Sequence, residues 1–214
     1  RDLHLSLRRQ RQMCIRDRYL TLCLNIDGEQ VRRSYSLCSA PHEEVLSVGI
    51  KAIQNGLFSN YANRQINIGD TLEVGTPEGR FVYEPNEKNN LLLLAAGSGI
   101  TPILAIAKTA LKKTNGKVVL LYGNRSEDDK MFADELQTLQ TAYGQRFGIV
   151  YIYSRKKTAD ALFGRIDVSH INYVRNTLFS QLTFDEYYVS GHSGMKAASG
   201  KALSDSGVSD ENIM

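Results

Sequence analysis

Residues 91–102 read Leu-Leu-Leu-Leu-Ala-Ala-Gly-Ser-Gly-Ile-Thr-Pro, and this pattern indicates the fold class of the second half of the chain. The apolar run predicts a buried strand, and the glycines predict a tight turn. Thr101 suits an N-cap and Pro102 the first position of a helix. Such a turn offers backbone amides to a pyrophosphate. An ordinary strand-to-helix connection is the alternative, because Pro102 stands where the dinucleotide fingerprint has a third glycine.

The same alternation of strands and helices continues to the end of the chain. Apolar runs at 118–122, 149–153 and 187–190 predict three more buried strands. Helical patterns lie between and after the strands, at 102–113, 130–143, near 171–179 and at 194–203. Strands rich in Val, Leu and Ile that alternate with helices predict a parallel sheet covered on both faces.

The first half of the chain has the pattern of antiparallel β-structure. Strands are predicted at 19–26, 31–37, 45–53, 71–74 and 80–82. Asp27-Gly28 is a hairpin signal between the first two strands. Short strands with turns at this spacing predict a small barrel. The polar sequence of residues 84–90 predicts a linker between the two halves.

Composition excludes several classes of protein. The 214 residues are 42% hydrophobic, and their 26 Lys and Arg against 23 Asp and Glu leave a net charge of +3, too little for a nucleic-acid-binding stripe. Cys14, Cys23 and Cys38 fit no zinc site or four-cysteine iron–sulfur loop, and we expect reduced thiols. Because no apolar run is long enough to span a membrane, we expect a cytoplasmic protein.

The two ends of the chain differ from the rest. Residues 1–18 are rich in arginine without hydrophobic periodicity, and they resemble a non-native leader rather than a targeting peptide. At the other end, the chain stops where an α/β domain normally adds a closing strand. We therefore expect an incomplete antiparallel barrel at residues 19–86. An α/β parallel-sheet domain without its final strand is expected at 87–214.

The predicted second and third strands of the sheet end in residues suited to a phosphate. Tyr122 is followed by Gly123-Asn124-Arg125, without the acid that commonly binds the ribose of NAD. Residues 153–157 read Tyr-Ser-Arg-Lys-Lys and bring a hydroxyl and three cations to the sheet edge. A phosphate on the adenosine ribose would fit this cluster. A solvated basic loop is the alternative.

Seven ordered motifs resemble those of the ferredoxin–NADP reductase family, and especially of the reductases that serve oxygenases. The resemblance extends from residue 19 to residue 214 in one register. Its motifs are Arg33-x-Tyr35-Ser36 with 38–41, Gly56 to Tyr61, Pro77-x-Gly79-x-Phe81, Gly97 to Pro102, Tyr122 to Arg125, Ser154-Arg155, and Gly191-x-x-Gly194-Met195. Family members join an FAD-binding barrel to an NADP-binding α/β domain.

The resemblance implies a role for each matched residue of the first half. Arg33 would pair with the flavin pyrophosphate, Tyr35 would stack on the isoalloxazine, and Ser36 would bond the ring near its reactive nitrogen. Leu37, the next residue, is also an implied cofactor-binding residue. The amides and hydroxyl of Gly56, Leu57, Phe58 and Ser59 would bind the same pyrophosphate, so the flavin would be FAD.

For the second half, the resemblance implies an NADPH site. Thr101 and the glycines would hold the dinucleotide, and Ser154 with Arg155 would select its 2′-phosphate. The full set of implied cofactor-binding residues is Gly97, Gly99, Thr101, Pro102, Asn124, Arg125, Ser154, Arg155, Gly191 and Met195. Ser190 stands where the family usually has a cysteine beside the nicotinamide, and with Tyr35 and Ser36 it forms the candidate catalytic set. We expect His192 to have no catalytic duty.

Two functions follow from these patterns. The first is a flavin-dependent oxidoreductase that passes electrons from NADPH through FAD to an iron–sulfur protein or oxygenase component. We expect no metal site in this chain, and the iron–sulfur cluster would belong to a further C-terminal domain or to the partner. The alternative is a non-catalytic dinucleotide-binding fragment whose incomplete barrel cannot hold FAD.

Overall fold

The computed structural model describes residues 19–79 and 81–214. The expected leader, residues 1–18, lies outside the described residues. The N-terminal half contains a three-stranded antiparallel sheet of order β2-β1-β3. Asp27 and Gly28 both take positive φ, 52° and 85°, which is the geometry of a tight hairpin turn between β1 and β2. The elements of this half are β1 (Tyr19–Ile26), β2 (Glu29–Ser36), α1 (Leu57–Gln65) and β3 (Glu73–Val74).

Two of the predicted strands are wrong. Residues 45–53 form no strand, and Val48 makes a single bridge to Leu37. The reason is that side chains take over part of the hydrogen bonding: Ser39 Oγ accepts from the Ser47 amide, and Asn63 donates to the Ile50 carbonyl. Of the strand predicted at 80–82, residue 80 lies outside the described residues, and residues 81 and 82 lie outside any strand, although Glu78 bridges to Tyr19 just before them.

The C-terminal half contains a five-stranded sheet of order β7-β6-β5-β4-β8, and each pair of neighbouring strands in it is parallel. Its strands are β4 (Leu91–Ala96), β5 (Val118–Asn124), β6 (Phe147–Tyr153), β7 (Leu162–Phe163) and β8 (Glu186–Ser190). Side chains of β4 alternate between two cores: Leu91 and Leu93 face one, and Leu92 and Leu94 face the other. The fold class predicted from the pattern is therefore confirmed.

Helices cover both faces of this sheet. They are α2 (Ile100–Lys113) and α3 (Ala133–Tyr143) on one face, and α4 (Val168–Tyr173) and α5 (Ser193–Asp205) on the other. Three helix starts differ from prediction by two residues or more, and one of them is that of α2, which begins at Ile100 and not at residue 102. A short 3-10 turn, Glu127–Asp129, precedes α3, so α3 begins three residues later than expected. The helix predicted near 171–179 begins at Val168, and Val174–Leu178 forms a π-turn.

The last residues of the chain lie beside β8. Ile213 bridges in parallel to Tyr187, and the Met214 amide donates to the Tyr187 carbonyl at 2.8 Å. Ile213 and Met214 thus lie along the edge of the sheet next to β8. Among the described residues, no helix has the length and apolar character needed to cross a bilayer.

Candidate cofactor-binding site

The glycine turn after β4 lies at the carboxyl edge of the parallel sheet. Gly97 has φ +54°, and Gly97–Gly99 form a 3-10 turn that leads directly into α2 at Ile100. The N-cap predicted at Thr101 is therefore wrong, because Thr101 already lies inside the first helical turn. Its hydroxyl donates instead to the Ser98 carbonyl at 2.9 Å. The strand, glycine turn and helix that could receive a pyrophosphate are nonetheless present.

The glycine turn touches the end of β8. A Cβ atom on Gly99 would lie 2.3 Å from the Ser190 carbonyl oxygen and 2.9 Å from the Gly191 nitrogen. Gly191 in turn lies over Met195, whose sulfur would be 2.8 Å from a Cβ there. Two motifs that are about 90 residues apart in sequence therefore meet, because β4 and β8 are neighbours with Ala95 opposite Ser190.

His192 has a structural role at this edge. Its Nδ1 accepts a hydrogen bond from the Met195 amide at 3.1 Å and caps the N-terminus of α5. Capping satisfies one of the amides that a helix start leaves without an intrahelical partner. That His192 has no catalytic duty stays a prediction.

The side chain of Tyr122 contacts the glycine turn, Gly97–Gly99, and the sequence analysis did not predict this contact. Its hydroxyl donates to the Gly97 carbonyl at 3.3 Å and accepts from the Met131 amide at 3.1 Å. Burial raises the pKa of Tyr122 to about 12, so the hydroxyl keeps its proton at neutral pH. A tyrosine at the end of a buried strand is a weak signal, because most such residues are simply core.

The ends of β5 and β6 hold the predicted phosphate-binding residues together. The Ser154 amide donates to the Asn124 carbonyl at 3.0 Å, and the Arg155 amide donates to the Arg125 carbonyl at 2.9 Å. Both arginine side chains are exposed, and neither forms an ion pair with a described residue. Asn124 is only 8% exposed, and its side-chain amide lies beside the Tyr122 hydroxyl, whose pKa it lowers.

On the flavin side, the residues predicted to hold the ring lie on β2 and just after it. Tyr35 contacts Phe58, with ring centroids 5.5 Å apart and planes tilted by 38°. Leu37 is buried, whereas Arg33 is exposed and donates to the Arg32 carbonyl at 2.7 Å. The structure thus brings the Tyr35 strand against the start of α1, as a shared flavin site requires.

The start of α1 is a tight cradle. A Cβ atom on Gly56 would lie 2.4 Å from Ile53 and 2.5 Å from the Ser59 hydroxyl, so only glycine fits. Phe58 and Ser59 are buried, and Leu57 is 52% exposed. Asn60, which the sequence analysis missed, fixes the turn by donating to the Ile53 and Gly56 carbonyls at 2.9 and 2.8 Å. The absence of a side chain at Gly56 thus lets the Ile53 and Ser59 side chains pack against the main chain at the start of α1.

Residues 48–51 join the two halves. Val48 bridges to Leu37. A Cβ atom on Gly49 would lie 2.6 Å from the Phe132 ring and 2.9 Å from the Thr101 methyl group. Phe132 adopts φ +59°, a left-handed conformation that is unusual for a bulky residue. Among the described residues, Tyr35 and Ser36 form no hydrogen bond or ring contact with Ser190, so the halves meet at other contacts, and this segment provides one of them.

Two family models match the chain. Residues 93–201 match an oxidoreductase NAD-binding domain, and residues 2–83 match an oxidoreductase FAD-binding domain. The chain is 38% identical over 199 residues to one component of the 1,2-phenylacetyl-CoA epoxidase of Escherichia coli K12, and the match covers 91% of this chain and 56% of that protein. It is 39% identical over 134 residues to the ferredoxin reductase component of 3-ketosteroid-9-alpha-monooxygenase of Mycobacterium tuberculosis, covering 61% and 37%. The chain thus spans about half or less of the length of these relatives.

Solved structures of the same fold are also similar. The FAD/NAD-binding domain of nitric oxide dioxygenase from Vibrio cholerae matches with a TM-score of 0.75 and 25% identity, over 92% of this chain and 81% of that one. A ferredoxin NADP+ reductase from Neisseria gonorrhoeae with bound FAD and NADP matches with a TM-score of 0.74 and 22% identity, over 92% and 84%. With its FAD-binding and NAD-binding domains, the chain belongs to the ferredoxin–NADP reductase family.

Proposed function

We propose that this chain is the NADPH-oxidising part of a flavoprotein reductase that delivers single electrons to an iron–sulfur acceptor of an oxygenase system. The contact at residues 48 and 49 carries the proposal. Val48 pairs with Leu37 at the end of the flavin strand, and Gly49 lies against Thr101 in the nicotinamide half. One segment therefore contacts both halves, which supports a flavin site and a nicotinamide site that lie side by side.

The protein's own part in this reaction is to bind and orient. FAD and NADPH supply the redox chemistry, because a nicotinamide gives a hydride and a flavin can release electrons singly. Tyr35, supported by Phe58, would present its ring to the flavin, and Arg33 would exchange the Arg32 carbonyl for the pyrophosphate. Ser190, held against Gly99, would place its hydroxyl beside the nicotinamide. Such alignment can account for a large part of a rate enhancement.

The end of the sheet supports NADPH over NADH. Asn124, at the end of β5, stands where an NAD-type fold commonly has an acid, and its amide is neutral. Arg125 and Arg155 are exposed cations tied to each other through the main chain. A 2′-phosphate would add charge-assisted hydrogen bonds to both guanidinium groups and to the Ser154 hydroxyl.

The acceptor is inferred from the relatives. One relative is the ferredoxin reductase component of a monooxygenase, and another is a component of an epoxidase. An iron–sulfur protein or an oxygenase component therefore fits as the partner, and we place the pair in the cytoplasm. Cys23 and Cys38 are free and buried thiols, which suits a reducing compartment.

The experiment is a test of flavin binding and turnover on the purified full chain. The protein is mixed with FAD, separated from free flavin by desalting, and examined for flavin absorbance. It is then supplied with NADPH and ferricyanide, or with NADPH and a plant-type ferredoxin. We expect retained flavin and reduction of both acceptors.

The alternative function gives a different result. A chain that binds 2′-phosphoadenosine in a calorimeter but retains no FAD and reduces neither acceptor is a non-catalytic dinucleotide-binding fragment. Retained FAD with reduction of ferricyanide alone would uphold the reductase and exclude this ferredoxin as its partner.

A further inference from the structure

A buried lysine lies between the two halves of the molecule. Lys108, on α2, is only 8% exposed, and most of the residues around it in the helix are apolar. Its Nζ contacts Glu43 Oε1 at 3.1 Å and Glu135 Oε1 at 2.5 Å. Glu43 belongs to the flavin half, and Glu135 lies in the first turn of α3 in the other half. Lysine is rarely buried without such partners.

The same ammonium group reaches the end of the flavin strand. Lys108 Nζ donates to the Cys38 carbonyl at 3.2 Å, and Cys38 directly follows Leu37. Glu43 also accepts from the Ala40 amide at 2.5 Å, so it orders the loop that leads away from this strand. We call Lys108, Glu43 and Glu135, with the Cys38 carbonyl, the Lys108 cluster.

The cluster is also connected to the nicotinamide side. Lys108 lies two turns along the helix from Thr101, about 10 Å at the rise of an α-helix. That helix begins at the glycine turn, so the cluster and the turn lie on one continuous helical segment. Without Lys108, two carboxylates would face each other across the contact between the halves, and like charges in a partly buried place repel strongly.

We propose that Lys108 is a positioning residue: it holds the FAD-binding half against the NAD-binding half and so sets the separation of the two cofactor rings. The part of this proposal that concerns the rings rests on the proposed function. The part that concerns the contact between the halves does not, because it follows from the ion pairs alone.

Cys38 provides the test, because its thiol is 4% exposed and packs in the core shared by the two halves. Cys23 is also buried but lies within β1, so it reports unfolding of the flavin half. In a Cys14→Ser background, the full chain is treated with iodoacetamide at about pH 8, and both sites are followed by mass spectrometry. For Lys108→Met we expect Cys38 to be alkylated at least about tenfold faster, a change of about 1.4 kcal/mol, with Cys23 unchanged.

Electrostatics would act in the opposite direction if the halves stayed closed. Burial raises the pKa of the Cys38 thiol to about 11, and Lys108 opposes that rise. Removing Lys108 would therefore make a Cys38 that stays buried less reactive, so faster alkylation reports separation of the halves. The matched control is Lys201→Met, because Lys201 is an exposed lysine of α5 that forms no ion pair with a described residue. We expect it to change the Cys38 rate by less than about twofold.

Two results would overturn the proposal. One is an unchanged rate of Cys38 alkylation in Lys108→Met. The other is an equal increase in the alkylation rates of Cys23 and Cys38, which would mean unfolding. If Lys108→Met does not fold, Glu43→Gln and Glu135→Gln serve in its place. Each is expected to accelerate Cys38 by about threefold and to leave Cys23 unchanged, and failure of both refutes the proposal.

A second readout uses protein loaded with FAD. We expect Lys108→Met to lower the limiting rate of flavin reduction by NADPH at least about tenfold, with the Kd for NADPH within about threefold. A loss of NADPH binding with an unchanged limiting rate of flavin reduction would contradict a positioning role. If the unaltered chain retains no FAD, the proposed function fails, while the alkylation result still decides whether Lys108 holds the halves together.

Discussion

Replacing Gly99 by alanine tests the close approach at the nicotinamide side of the site. Gly99 has φ −61° and ψ −11°, values that alanine adopts readily, so the substitution adds no backbone strain. The added Cβ would lie 2.3 Å from the Ser190 carbonyl oxygen, 2.6 Å from its carbon and 2.9 Å from the Gly191 nitrogen. Because a carbon–oxygen contact needs about 3.3 Å, the two main-chain segments must separate by about 1 Å.

Two losses should follow from this separation. Overpacking of this kind lowers the free energy of unfolding by about 1–3 kcal/mol, and each kcal/mol lowers the Tm of a chain this long by about 2–4 °C. A displacement of about 1 Å near reacting groups can slow a reaction by about 100-fold. We therefore expect stopped-flow reduction of bound FAD by NADPH to slow by that order. The FAD content should not change, because the other half binds the flavin.

Gly200→Ala is the matched control. Gly200 lies inside α5, and a Cβ atom there would meet nothing within 4 Å. Alanine in a helix interior is more stable than glycine by about 0.5–1 kcal/mol, so this variant should melt slightly higher and be reduced at the normal rate. The reasoning is refuted if Gly99→Ala keeps the normal Tm and reduction rate, or if Gly200→Ala loses as much as Gly99→Ala.

Three further substitutions test other contacts. Arg155→Ala should raise the KM for NADPH by roughly 10- to 100-fold and leave that for NADH within about twofold; equal effects would contradict phosphate recognition. Arg146→Ala should lower the unfolding free energy in urea by about 2–3 kcal/mol, since its guanidinium donates to the Leu111 carbonyl in the last turn of α2 and to the Thr114 and Gly116 carbonyls just after it. A change below about 0.5 kcal/mol would contradict this. Tyr122→Phe should cost about 1–3 kcal/mol by leaving the part-buried Met131 amide without its acceptor, and an unchanged Tm would show that water replaces the hydroxyl.

The C-terminal half was the more predictable one. Its strands are continuous apolar runs, because both faces of the sheet are covered, and such runs are visible in the sequence. The hairpin at Asp27-Gly28 was predictable for an equally local reason, since the turn needs positive φ at both residues. Element boundaries were less predictable: Thr101 looks like an N-cap, but the 3-10 turn before it starts the helix earlier.

Residues 45–53 show why other features could not be predicted. Their apolar residues alternate as in a strand, and Val48 and Ile50 do pack against the small core of the first half. Gly49, between them, instead contacts Phe132 and Thr101 of the other half. The alternation therefore reflects a segment that is covered on one side by the first half and on the other side by the second half. The sequence pattern does not show that the second covering surface belongs to another domain.

Lys108 is the clearest case of a residue whose role depends on its partners. A lysine among the apolar residues of α2 is unusual enough to be noticed in the sequence. Its two carboxylates are 65 and 27 residues away, and no local pattern identifies them.

Local sequence patterns were enough to predict the two halves, their order, and the strand, glycine turn and helix at residues 91–113, because these follow from hydrophobic period and glycine conformation. The way in which the halves meet depends on tertiary contacts. The contacts of Gly99 with Ser190, of Gly49 with Thr101 and of Lys108 with Glu43 join residues at least about 50 positions apart. Such contacts arise from the packing of whole elements, which local sequence patterns do not encode.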